Sequence, residues 1–142
     1  MYQPKVNIRS GQIMGFEALI RWSNALLGEI SPIRFIPIAE RTGLIIPIGA
    51  WVLEQTCRQV QRWTSESGAP VKVAVNLSPR QFHQKDLLRL IADSVQRYGV
   101  RPGSLELEIT ETALMSREQE VDVLMRDIRR LGVELSIDDF GT

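Results

Sequence analysis

Five residues of this sequence could hold divalent cations between them: Glu17, Asn76, Glu108, Asp138 and Asp139. Carboxylates and one amide oxygen, with no histidine or cysteine among them, make a hard oxygen site. Such a donor set selects Mg²⁺, Mn²⁺ or Ca²⁺ over zinc. Asp139 follows Asp138 directly, so the pair could bridge two ions or divide between them. Two ions about 3.5–4 Å apart are a recurrent device for phosphoester cleavage, one activating water and both stabilising charge on phosphate. Arg21 could add charge-assisted bonds to phosphate oxygens. Taken singly, each residue also has a plainer reading. Glu17 with Arg21 could be a structural ion pair, Asn76 before Leu-Ser-Pro a turn residue, Glu108 an exposed strand charge, and Asp138-Asp139 a loop start. What favours a site is their coincidence on one face of successive strands.

That coincidence depends on the elements. Strand-like runs at residues 2–8 and 13–22 are joined by Arg9-Ser10-Gly11-Gln12, which reads as a hairpin. Ser31-Pro32 starts a short helix to about Arg41, ended by Gly43, and a longer helix covers residues 47–65 before Gly68-Ala69-Pro70. Strand and helix then alternate: a strand at 71–77, a helix at 86–98 stopped by Gly99, a strand at 105–109, a helix at 117–131 stopped by Gly132, and a strand at 133–138. This order implies right-handed βαβ units and a parallel sheet.

Side chains alternate along a strand, so each strand has two faces. Glu17, Leu19 and Arg21 share one, as do Lys72, Ala74 and Asn76, then Glu106 and Glu108, then Glu134, Ser136 and Asp138. The opposite faces are apolar throughout. A sheet covered by helices on both sides would be apolar on both, so the polar face predicts the lumen of a barrel. In such barrels the active site lies at the carboxyl ends of the strands, where Asn76, Glu108 and Asp138 fall.

Composition narrows the partners. The 142 residues are 44% hydrophobic and 24% charged, which suits one globular unit. Seventeen basic residues balance 17 acidic ones and are dispersed, which argues against a nucleic-acid polymer or an anionic membrane as partner. The most apolar run, residues 44–53, is interrupted by Pro47 and is shorter than the ~20 residues that span a bilayer. No secretory signal opens the chain, and the lone Cys57 reads as a packed core thiol in a reducing compartment, so the expected location is cytoplasmic.

Several segments together are similar to one family. Tyr2-Gln3-Pro4, Glu17-Ala18-Leu19-Ile20-Arg21-Trp22, Phe35-Ile36-Pro37-Ile38-Ala39-Glu40, Asn76-Leu77-Ser78, Glu108-Ile109-Thr110-Glu111 and Asp138-Asp139-Phe140-Gly141-Thr142 stand in the order seen in the EAL domain family. The resemblance covers the whole chain. It implies an α/β fold, a partial TIM-like (β/α) barrel with an antiparallel first strand, and hydrolysis of cyclic di-GMP to linear pGpG with Mg²⁺ or Mn²⁺ in a two-metal site. By the same resemblance Glu17, Asn76, Glu108 and Asp138 ligate metal, and Asp139 serves the second ion. Arg21 holds phosphate, Gln3 and Leu19 line the nucleotide pocket, and Glu111 steadies the loop after the Asp-Asp pair.

Residues 1–142 are then expected to be an incomplete EAL domain, its front part only, with about three of the usual eight strands missing. The family's general-base lysine, a later glutamate ligand and a final glutamine fall beyond Thr142, so this fragment alone is expected to be inactive. Its uncovered last strand is expected to drive self-association. The alternative is a non-catalytic module that binds cyclic di-GMP or docks a protein partner. The intact ligand set favours the enzyme, since a pure sensor has no need of it.

Overall fold

The computed structural model describes residues 1–114 and 118–138, the side chains of Glu111, Thr112, Glu118, Gln119 and Asp138 excepted. Strands β1 (Tyr2–Val6) and β2 (Ile13–Ala18) form the expected antiparallel hairpin. Asn7 shapes its turn. The Asn7 Oδ1 accepts hydrogen bonds from the amides of Arg9 and Ser10 at 2.9 and 3.1 Å, and its carbonyl accepts from Gly11, which stands at φ 70°. An asparagine oxygen caught by the amides that follow it is a turn device, and glycine supplies the positive φ.

The second strand is shorter than the alternation over residues 13–22 predicts. The chain leaves the sheet after Ala18 through Leu19, Ile20 and Arg21. Trp22 then opens β3 (Trp22–Asn24), which pairs antiparallel with β4 (Gly28–Ile30) in a separate two-stranded sheet. The Asn24 side chain accepts from the amides of Leu26 and Leu27 at 2.9 and 3.1 Å, closing a tight turn that gives β3 a nearer partner. The apolar alternation runs straight through this break and does not mark it.

Helix α1 (Pro32–Thr42) has proline in its first turn and stops at Gly43, φ 82°. Helix α2 (Ile45–Ser67) starts two residues before Pro47, which sits in a first turn whose amides have no helical partner to lose. The chain continues through β5 (Val73–Leu77), α3 (Pro79–Phe82), α4 (Leu87–Tyr98), β6 (Leu105–Thr110), α5 (Glu111–Leu114), α6 (Glu118–Arg130) and β7 (Glu134–Asp138). Single-turn α3 and α5 are too short for apolar periodicity to reveal.

The larger sheet runs β1-β2-β5-β6-β7, antiparallel at its first pair and parallel thereafter. It is an α/β fold with a mixed, open sheet, and the described residues do not close it into a barrel. Its outer face, Val73, Val75, Leu77, Leu105, Leu107 and Ile109, packs under Leu53, Cys57 and Val60 of α2 and Leu87 and Ile91 of α4. Trp63 extends that core to the hairpin, its ring 4.9 Å from that of Tyr2 and 4.8 Å from that of Phe16.

The sheet also curls. Lys5 on β1 and Glu108 on β6 stand three strand spacings apart, about 14 Å in a flat sheet, yet they form an ion pair. Strand side chains rise roughly perpendicular to their sheet, so the two meet only because the wall bends around the polar face. That face is therefore concave, as a barrel lumen would be.

Cys57 is fully buried, and burial pushes its thiol up to about 12. A maleimide at pH 8 is expected to label the folded protein at least roughly a hundred times more slowly than the denatured chain. Equal labelling rates would show that α2 does not cover the sheet as described.

Candidate active site

Alternation along β2, β5 and β6 turns Glu17, Asn76 and Glu108 to the concave face. Asn76 lies in register with Glu108, and Glu17 with Ala74, which sets Glu17 and Asn76 diagonally across neighbouring strands. Asn76 Nδ2 donates to Glu17 Oε1 at 2.7 Å. Glu108 accepts from the Lys5 ammonium, with its own side chain only 11% exposed. Glu17, Asn76 and Glu108 are thus brought together, as the sequence predicts. The backbone of Asp138 extends the cluster in register with Thr110. The side chains of Asp138 and Glu111 lie outside the described residues, as does Asp139 altogether.

The predicted ligand-binding residues separate. Gln3 stands across β1 from Glu17 in register. Leu19 is just past the end of β2, where its amide donates to the Met1 carbonyl at 2.9 Å. Arg21 does not share a strand with Glu17: it lies beyond β2, and its guanidinium donates to the Ile20 carbonyl at 2.8 Å. Among the described residues it makes no ion pair with Glu17, so that plainer reading of Glu17 does not hold. Leu19, Arg21, Phe35, Asn76, Ser78 and Glu108 all line one cleft of about 370 Å³. Much of its lining is apolar, its sheet side carries Asn76 and Glu108, and Arg21 adds a cation.

The loop leaving Asn76 is held from three sides. Ser78 Oγ accepts from the Gln81 amide at 3.3 Å while Gln81 Oε1 accepts from the Ser78 amide at 3.1 Å, a reciprocal capping box on α3. Arg80 donates to the carbonyls of Glu40 and Arg41, tying the loop to the last turn of α1. Gly49 makes room for the Gln81 side chain: a Cβ there would lie 1.4 Å from Gln81 Nε2. The Ser-x-x-Gln spacing is the local signal for this box, which the sequence reading did not single out, and nothing in the sequence marks Gly49 as its seat.

Two lysines balance the concave face: Lys72, which alternation already placed there, and Lys5, which the sequence reading missed. Lys72 Nζ pairs with Glu106 at 2.9 Å and Glu134 at 2.7 Å. Burial disfavours the charge of Glu106, but the hydrogen bond from Lys72 and the charges of Lys72 and Lys5 outweigh it and hold its carboxyl below the usual range. Burial likewise disfavours the charged form of Lys5, and the bond to Glu108 with the charges of Glu108, Glu106 and Glu17 overturns it, raising the ammonium above its ordinary value. Lys5 shares the Gln3 face of β1 by alternation, which was the available signal.

The donor set can be tested against a divalent ion. Among the described residues no group of three or more His, Cys, Asp or Glu lies close enough to hold a metal. Glu17, the Asn76 amide and Glu108 are nevertheless oxygen donors on three neighbouring strands, and a cation, the Lys5 ammonium, already stands on one of them. Hard oxygen donors that attract a cation fit Mg²⁺ or Mn²⁺.

A mixed sheet of this order, curled around a polar face with Asn76 and Glu108 toward the carboxyl ends of its parallel strands, matches part of the wall of a β/α barrel. The EAL domain model matches residues 1–142, and the chain belongs to the EAL domain family. It is 42% identical over 141 residues to the bifunctional diguanylate cyclase/cyclic di-GMP phosphodiesterase MucR of Pseudomonas aeruginosa, covering 99% of this chain and 21% of that protein. It is 39% identical over 142 residues to the oxygen sensor protein DosP of Escherichia coli, covering 100% of this chain and 18% of that protein. The solved PaMucR phosphodiesterase in complex with c-di-GMP superposes with a TM-score of 0.94 at 42% identity, over 99% of this chain and 57% of that one. The chain thus spans about a fifth of the length of these two curated relatives.

Replacing Gly49 with alanine is the sharpest test of how the site loop is held. In an open helix that change would stabilise by about 0.5–1 kcal/mol. Here it is expected to destabilise the protein in urea unfolding by about 1–3 kcal/mol through the displaced Gln81. A stabilised Gly49→Ala variant would show that Gln81 does not occupy that seat.

Proposed function

We propose that this chain supplies most of the first metal site and the phosphate-facing wall of an EAL domain that hydrolyses cyclic di-GMP to linear pGpG with Mg²⁺ or Mn²⁺. The observation that carries this reading is that Asn76 and Glu108 line the cleft that Arg21 also lines, with Glu17 hydrogen-bonded to Asn76 beside it. The similarity to MucR, named for cyclic di-GMP phosphodiesterase activity, supports the substrate.

Glu17, Asn76, Glu108 and Asp138 would hold the first ion, with Asp139 serving the second. Bound there, the ions supply an activated water and neutralise charge gathering on the phosphate. Arg21 orients a phosphate oxygen by a charge-assisted bond. Gln3 and Leu19 border the nucleotide, Leu19 from the cleft wall and Gln3 from the strand edge beside Glu17. Glu111, at the first turn of α5 directly after β6, steadies the loop that follows the aspartates.

The open five-stranded sheet supports the further reading that residues 1–142 are an incomplete domain and that this chain alone does not turn over. With Mg²⁺ or Mn²⁺ present, a complete domain containing this sequence is expected to release linear pGpG, followed by chromatography. Glu17→Ala in that domain is expected to lower the rate by roughly a hundredfold or more, and the isolated chain to release none. Undiminished turnover by Glu17→Ala would remove the carboxylate from the mechanism and the reading with it.

Among the described residues β1 and β7 are the sheet's outer strands, each with one row of backbone groups that no other described strand pairs, which supports self-association of the isolated chain. Light scattering is expected to find dimers or larger species, and a monodisperse monomer would refute this. No single described helix is long and apolar enough to cross a membrane. The buried, unpaired Cys57 supports a reducing compartment and so the cytoplasm.

A further inference from the structure

We propose that Lys5 is a resident cation of the acidic site: it holds Glu108 while no divalent ion is bound, gives up that carboxylate when one binds, and so sets how tightly the site takes its metal. The inference rests on the reading of Glu17, Asn76 and Glu108 as metal ligands.

The geometry of the concave face points to this role. Lys5 reaches Glu108 from three strands away, over positions occupied by the smallest side chains of that face. Its register partner on β2 is Gly15, where even a Cβ would meet the Lys72 carbonyl at 2.8 Å, and the concave-face residue of β5 between them is Ala74. The path from β1 to the centre of the site is clear because those two positions carry almost nothing.

The charges divide unambiguously. Lys72 is engaged by Glu106 and Glu134, at 2.9 and 2.7 Å, in the layer below. Among the described residues Lys5 is the cation that pairs with Glu108, with Glu17 and Glu106 also in its field. A carboxylate this enclosed needs a positive partner. An ammonium and a divalent ion cannot both crowd the same oxygens without strong mutual repulsion. Binding of the ion therefore displaces Lys5, whose flexible four-carbon stem lets the ammonium withdraw toward solvent. Its side chain is already 39% exposed.

The experiment is Mn²⁺ titration calorimetry on this chain, comparing wild type with Lys5→Met, Lys5→Arg and Glu108→Gln. Lys5→Met is expected to tighten Mn²⁺ binding roughly tenfold and to lower the metal-free melting temperature, with Mn²⁺ restoring it. Lys5→Arg keeps the charge and is expected to stay close to wild type. Wild-type binding that Glu108→Gln weakens, combined with unchanged or weaker binding by Lys5→Met, overturns this proposal and leaves the metal reading standing. Absence of Mn²⁺ binding in every variant overturns both. Should Lys5→Met not fold, the wild type decides. NMR of ¹⁵N-lysine-labelled protein is expected to show a hydrogen-bonded Lys5 ammonium signal that vanishes on saturation with Mg²⁺, and its persistence overturns the proposal.

Discussion

The two-residue period of the β-strand carries this structure. Each parallel strand turns one row of apolar side chains outward, where Val73, Val75, Leu105, Leu107 and Ile109 disappear under the helices, and one row of charged or polar side chains inward. The two rows cannot be chosen separately, because a one-residue slip would exchange them. Once the outer row is buried, register places Asn76 beside Glu108 and Glu106 beside Glu134. The acidic face is thus a consequence of the hydrophobic one.

Curvature makes that face tolerable. On a flat sheet the carboxylates of neighbouring strands would stand side by side with only water to separate them. Bent inward, they come within reach of two lysines, Lys72 from the start of β5 and Lys5 from the far side of the hairpin. The resulting pairs tie β1 to β6 and β5 to β7, contacts that backbone hydrogen bonding between adjacent strands does not provide. Exposed ion pairs contribute little by themselves. Their weight here lies in fixing where the acidic groups sit and in what stands beside Glu108 before any ion arrives.

The same logic explains the supports around the loop after Asn76. A site at the end of a strand has no ladder to hold the residues that leave it. Here a capping box, an arginine on the carbonyl end of α1 and a glycine in α2 do that work from three different elements. The helices that cover the outer face of the sheet thereby also set the inner one. Packing and site geometry share the same residues, which ties the local stability of α2 to the shape of the cleft.

Much of this was legible in the sequence. Glycines 43, 68 and 99 stop helices where they were expected to, each at positive φ. The faces of β2, β5, β6 and β7 follow from alternation, and with them the grouping of Glu17, Asn76 and Glu108. These are local facts, set by neighbours one to four residues away. The break after Ala18 was not legible, because Leu19, Ile20 and Trp22 continue the strand pattern while a better partner, β4, lies just ahead. Nor was the separation of Arg21 from Glu17, which depends on that break. The meeting of Lys5 with Glu108 and the seat that Gly49 makes for Gln81 join residues 103 and 32 positions apart. No periodicity encodes such pairs. The curl of the sheet and the approach of a helix to a loop decide them, and both arise only when the whole chain packs.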